Sequence, residues 1–152
     1  NLTGKRVADV LHKRELFEWL KGKEATIGTI VHLGACSKTV ELDANYLLDN
    51  NYRYSQHLAE YAIQNGIRFI YASSAATYGD GSQGFSDNEA EMDLLEPLNM
   101  YGMSKQLFDQ WLRNTGNLKK ATGLKFFNVF GPNEYHKGRM ASATRAHPAD
   151  TA

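Results

Sequence analysis

Ile67-Arg68-Phe69-Ile70-Tyr71-Ala72-Ser73 is the most strand-like stretch of the chain, and Ser74-Ala75-Ala76-Thr77-Tyr78-Gly79 follows it directly. Its aromatic and β-branched residues suit a pleated, buried surface, and Gly66 punctuates its start. Upstream, Asp43 to Gln64 reads as a long helix with Tyr54, Leu58, Tyr61 and Ala62 on one face, and Gly66 is placed to end it. Thr29 to Gly34 (TIVHLG) is a short apolar run read as a second strand, and Ala8 to Lys21 reads as a helix closed by Gly22. Downstream, Asp80 to Asn99 reads as a surface loop, Tyr101 to Asn114 as a helix, and Leu124 to Val129 as a third strand closed by Gly131-Pro132. Helix and strand alternate throughout, which predicts an α/β fold with a parallel sheet and helices on both faces.

Composition narrows the function classes. The 152 residues carry 17 basic and 17 acidic side chains, so no net charge drives the chain toward nucleic acid or an anionic membrane. No run approaches the roughly 18 apolar residues of a membrane helix. Nothing before Leu16 resembles an apolar signal core, and Cys36 is alone, so a reducing cytoplasm is the expected setting. Histidines 12, 32, 57, 136 and 147 show no ligand spacing, and no metal is expected.

Open parallel sheets bind ligands beyond the carboxyl ends of their strands. Three segments meet that condition: Gly34-Ala35-Cys36-Ser37, Ser73-Ser74-Ala75-Ala76 and Asn128-Val129. Tyr101 and Lys105 lie one helical turn apart on one face. A nearby ammonium favours the phenolate and makes a tyrosine a better base near neutrality. With a Ser74 hydroxyl to hold the substrate oxygen, the three form a proton-transfer device for an alcohol that gives hydride to a nicotinamide. Each also has a plainer reading: Lys105 as a solvated helix lysine, and Ser74 as a strand-end serine bonding its own backbone. Cys36, with no histidine or second cysteine beside it, reads as a small packed residue.

The segments Tyr71 to Gly79 (YASSAATYG), Pro97 to Lys105 (PLNMYGMSK) and Phe127 to Pro132 (FNVFGP) resemble the extended short-chain dehydrogenase/reductases. His32 to Ser37 (HLGACS), Asp49 to Tyr52 (DNNY) and His136 to Ser142 (HKGRMAS) narrow the likeness to the ADP-glyceromanno-heptose 6-epimerases of lipopolysaccharide synthesis. The resemblance implies a Rossmann-like fold and a nucleotide-sugar epimerase that removes hydride to tightly bound NADP, or to NAD, and returns it. It implies Tyr101 as catalytic acid/base, Lys137 as a second one on the opposite face that also borders the cofactor, Lys105 as the group orienting the nicotinamide ribose, and Ser74 on the reacting oxygen. Lys13, Leu33, Gly34, Ala35, Cys36, Ser37, Asn50 and Val129 would line the cofactor. Asn128 would touch substrate, and Arg139 stands where the family has a substrate-contacting serine. Judged by itself, Lys137 reads more readily as a solvated loop lysine, and the flanking HKG and MAS letters reverse that reading. The likeness also implies a homo-oligomer for the full-length protein, a small-molecule substrate, and neither nucleic acid nor membrane as partner.

The family pattern opens with a strand and a Gly-x-x-Gly-x-x-Gly turn that cradles the pyrophosphate, and it closes with a small substrate domain. Neither is found, so residues 1–142 are expected to be a partial dinucleotide-binding domain that lacks the first βα unit, residues 143–152 a divergent tail, and this polypeptide alone inactive. Two alternatives remain: an epimerase of the UDP-glucose 4-epimerase type, and a non-catalytic cofactor-binding module. A dehydratase fits less well, because Ala75-Ala76 occupy the place of its carboxylate.

Overall fold

In a computed structural model, residues 4–129 are described. The readings placed on Gly131-Pro132, Lys137, Arg139 and the boundary after residue 142 lie outside them. Three strands, β1 (Thr29–His32), β2 (Arg68–Ser74) and β3 (Ala121–Phe126), form one parallel sheet in the order β1-β2-β3. Thr29 pairs with Arg68 and His32 with Tyr71, while Phe69 pairs with Ala121 and Ser74 with Phe126. The helices are α1 (Leu16–Leu20), α2 (Ala44–Leu47), α3 (Tyr54–Gln64) and α4 (Met100–Asn114).

One core accounts for the arrangement. Leu20 of α1, Leu58, Ala59 and Ala62 of α3, and Phe108 and Leu112 of α4 pack on Phe69 and Tyr71 of β2, with Ile67 beside them. Alternation along β2 turns Phe69, Tyr71 and Ser73 toward these helices and Ile70 and Ala72 away. On that opposite side Val31, Leu124 and Phe126 stay 57%, 41% and 41% exposed. The parallel, Rossmann-like sheet is as the sequence predicts, but the described helices cover one face only. The strand order supplies the reason. Two right-handed crossovers that advance in the same direction, β1 to β2 to β3, must deposit their helices on the same side. Helices on the other face require strands added beyond β1 in the reverse direction.

Three local boundaries differ from expectation. The helix read over residues 8–21 is regular only at Leu16–Leu20. The helix read over residues 43–64 contains a π-helical segment at Leu48–Arg53, between α2 and α3. The third strand starts and stops three residues earlier than the 124–129 reading. Within the loop at 80–99, Glu89–Leu94 winds as 3₁₀ turns that bury Met92.

Candidate active site

Parallel pairing brings the carboxyl ends of all three strands to one edge of the sheet. Beyond β2 the chain turns at once into a 3₁₀ segment, Ala75–Tyr78, and Ser74 caps it: its Oγ accepts the Ala76 N–H at 3.1 Å. The plainer reading of Ser74 is therefore realised, and its hydroxyl proton remains for a further acceptor. Helix α4 starts at an Asn99 cap, whose side chain accepts the Gly102 N–H at 2.8 Å. Gly102 then lies against the 3₁₀ segment so closely that a Cβ there would stand 2.7 Å from the Ala76 carbonyl oxygen and 3.0 Å from Cβ of Pro97. Only glycine permits this approach, which sets the turn carrying Tyr101 against the end of β2. Gly79 makes the matching turn, with φ at 62° and no room for a Cβ beside the Glu96 carbonyl.

Tyr101 is half-buried in the first turn of α4. Lys105, one turn on, is 6% exposed and donates from Nζ to the Ala72 carbonyl at 2.8 Å. Burial lowers its ammonium from the usual 10.5 to about 8, and the carboxylate of Asp109 opposes that shift. The solvated-lysine reading of Lys105 is thereby corrected: its side chain runs inward to β2, because the helix face bearing residues 105 and 109 faces that strand. Sequence reading missed Asp109, although its spacing from Lys105 repeats the Tyr101–Lys105 step. Asp109 is 2% exposed and accepts from Tyr71 Oη at 2.8 Å, Ser73 Oγ at 2.7 Å and Lys125 Nζ at 3.2 Å. Lys125 also donates to Thr77 Oγ1 at 2.6 Å and sits 5.0 Å over the Tyr78 ring. Burial, then the Asp109 charge and hydrogen bond, hold the Tyr71 phenol far above its ordinary value. The Tyr71 proton is committed to Asp109.

At the end of β1, Lys13, Leu33, Gly34, Ala35 and Asn50 converge on one cavity of about 470 Å³, together with Tyr46 and Tyr54. Lys13 hydrogen-bonds Asn50 and lies 5.9 Å over the Tyr54 ring, whose hydroxyl donates back to the Lys13 carbonyl. Cys36 is buried and Ser37 exposed, and neither lines this cavity. Asn128 and Val129 are exposed after β3. Among the described residues no group of three or more His, Cys, Asp or Glu side chains gathers as metal ligands. None of the described helices is long and apolar enough to cross a membrane.

Residues 5–148 match the model of the NAD dependent epimerase/dehydratase family. The chain belongs to that family. It is 53% identical over 144 residues to an ADP-L-glycero-D-manno-heptose-6-epimerase of Nitratidesulfovibrio vulgaris, covering 93% of this chain and 45% of that one. It is 48% identical over 147 residues to the protein of that name in Fusobacterium nucleatum, covering 93% and 44%. The crystal structure of Helicobacter pylori ADP-L-glycero-D-manno-heptose-6-epimerase superposes with a TM-score of 0.74 at 29% identity, covering 93% of this chain and 44% of that one. A UDP-glucuronic acid 4-epimerase from Bacillus cereus, solved in complex with NAD, superposes at 0.59 with 27% identity, over 77% and 36%. The chain spans less than half the length of the curated relatives it matches.

The residues present suit a dinucleotide. The β1 cavity offers the Lys13 cation, the Asn50 amide and, at Gly34, open space where the nearest neighbour of a Cβ would be 4.0 Å away. Lys105 has three N–H donors, of which the Ala72 carbonyl takes one among the described residues. Ribose hydroxyls match the remainder.

Proposed function

We propose that this chain carries the proton-transfer half of an epimerase that interconverts ADP-D-glycero-D-manno-heptose and ADP-L-glycero-D-manno-heptose, with NADP held tightly, in cytoplasmic synthesis of lipopolysaccharide core precursors. The observation that carries it is the seat of α4 on the carboxyl end of β2, with Gly102 against Ala76 and Lys105 pinned to Ala72, beside Ser74. Relatives at 48% and 53% identity bearing that name support the choice of sugar.

A bound nicotinamide would supply the acceptor, and then the donor, of the hydride exchanged with the carbinol carbon. The chain's own residues do the rest. Tyr101 accepts and returns the hydroxyl proton, with the Lys105 side chain one helical turn away. Ser74 holds the reacting oxygen with the hydroxyl proton that its capping bond leaves over. Lys137 is the second proton donor and acceptor, on the face opposite Tyr101. Leu33, Gly34, Ala35, Cys36, Ser37 and Asn50 line the cofactor, with Val129 at the nicotinamide. Lys13 is the cation that would meet the ribose 2′-phosphate by which NADP differs from NAD. Asn128 and Arg139 contact substrate, and the full-length protein assembles as a homo-oligomer.

The test uses the protein that carries this chain, as its gene encodes it. ADP-D-glycero-D-manno-heptose is turned over and UDP-glucose is not. Tyr101→Phe lowers kcat by about 10²- to 10⁴-fold while NADP affinity stays within about threefold. An unchanged kcat in Tyr101→Phe, or preference for the UDP-sugar, overturns the reading.

A further inference from the structure

We infer that Asn51 is a positioning residue that locks the Gly34–Ser37 loop to the Tyr101 turn of α4, so that the cofactor side and the proton-transfer side of the site move as one body. The labels for those two sides rest on the function proposed above; the lock itself rests on geometry. Asn51 is 1% exposed, inside the π-helical segment Leu48–Arg53. Its Oδ1 accepts the Cys36 N–H at 2.8 Å, and its Nδ2 donates to the Cys36 carbonyl at 3.1 Å. The side chain thus grips both backbone groups of one loop residue, as a neighbouring strand would. The second Nδ2 proton goes to Ser104 Oγ at 3.1 Å, and Ser104 Oγ donates in turn to the Tyr101 carbonyl at 2.7 Å. Asn50 Nδ2 completes the set by donating to Asn51 Oδ1 at 3.1 Å.

Every donor and acceptor of the amide is spent, in a place where water does not reach. Aspartate has the same shape but no donor for Cys36 or Ser104, leucine has neither function, and glutamine is one methylene too long. A buried amide used only for packing would not need a continuous path from the Cys36 backbone to the Tyr101 carbonyl. The two ends of that path lie on segments 65 residues apart in sequence, with α3 and β2 between them.

The chain contains a reporter at the gripped loop, since Cys36 is its only cysteine and is buried. The experiment measures the rate at which an aromatic disulfide reagent modifies Cys36, together with the carbonyl ¹³C resonance of Tyr101, on this 152-residue chain. Asn51→Ala raises the thiol rate about tenfold or more, the scale set by two lost hydrogen bonds. It also shifts the Tyr101 carbonyl resonance, although the two residues do not hydrogen-bond directly. Ser104→Ala shifts that resonance and leaves the thiol rate within about twofold, since the grip on Cys36 stays intact. Should Asn51→Ala fail to fold, the isosteric Asn51→Asp carries the test: it keeps the acceptor and loses both donors, so the rate rises about threefold and the resonance still shifts. A thiol rate unchanged in the folded Asn51 variants, or a Tyr101 resonance that ignores them, overturns the lock and leaves Asn51 as packing. Protection of Cys36 by NADP in the parent chain is a separate arm. Its absence counts against cofactor binding at this loop and does not touch the lock, whose readouts need no ligand.

Discussion

His32 provides the most quantitative prediction. Its ring packs 6.0 Å from Tyr54 and 6.2 Å from Phe69, at the buried end of β1. Nε2 lies 2.8 Å from Ser55 Oγ, and that hydroxyl spends its single proton on the Asn51 carbonyl at 2.6 Å. Nε2 must therefore carry a proton and donate it, which fixes the neutral ring as the Nε2–H tautomer. Burial, and behind it the positive charge of Lys105, lower the imidazolium from 6.5 to about 4. The unfolded chain thus binds a proton that the folded chain refuses between pH 6.5 and 4. Stability is fully present above pH 6.5, falls across this window, and has lost its whole contribution from this ring once the folded ring is protonated below about 4. At about 1.4 kcal/mol per unit, the gap corresponds to roughly 3 kcal/mol. Urea unfolding of the parent and of His32→Gln, whose amide can still donate to Ser55, is compared at pH 7, 5.5 and 4. Carboxylates lower both curves alike, and the parent loses about 3 kcal/mol more than the variant between the extremes. Parallel curves, differing by less than about 0.5 kcal/mol in their pH dependence, refute the assignment of a buried neutral imidazole.

Other expectations concern the packing around α4. Asp109→Ala leaves the buried Lys105 and the half-buried Lys125 without their counter-charge, and chemical denaturation should find a loss of about 3–5 kcal/mol. Asp109→Asn keeps an acceptor and should lose less, about 1–3 kcal/mol; equal costs for the two would mean that charge is immaterial there. Gly102→Ala forces a Cβ to within 2.7 Å of the Ala76 oxygen. It should cost about 1–3 kcal/mol in thermal or urea unfolding, against a helix-propensity gain of about 1 kcal/mol that would appear alone if the contact were slack.

The central strand was legible because Phe69 and Tyr71 alternate with Ile70 and Ala72 in a bounded apolar run. The third strand was read late because its core-facing residues are Ala121, Gly123 and Lys125, none of which looks like a strand interior. Gly123 is small because the Tyr71 ring fills the space a Cβ would take, at 2.5 Å from its hydroxyl oxygen, and Lys125 points inward because Asp109 and Thr77 await it. Both reasons are tertiary and leave no periodic trace. The first helix was overextended for the opposite cause: Val10 has the right spacing but remains exposed, so residues 8–15 gain no burial from coiling. Within the candidate site, the strand-end position of Ser74 and the one-turn spacing of Tyr101 and Lys105 were legible in the sequence, and the cluster of Lys13, Leu33, Gly34, Ala35 and Asn50 followed the family likeness. Asn51 was passed over for its neighbour, since nothing in a sequence distinguishes which of two adjacent asparagines turns inward.

The π-helical turn at Leu48–Arg53 carries a constraint on how the gene can change length. Such a turn is equivalent to one residue inserted into an α-helix. Removing one residue there would restore ordinary winding and keep the flanking turns in their relative orientation, but it would change which side chains of the segment itself turn inward, Asn51 among them. Asn51 and Asp43 belong to the segment that meets Cys36 and opens the helix, while Leu58, Ala59 and Ala62 belong to the face that meets the sheet. A single-codon deletion could preserve one of these alignments and not the other. Insertions and deletions tolerated between Asp43 and Ala62 are therefore expected only as compensated pairs.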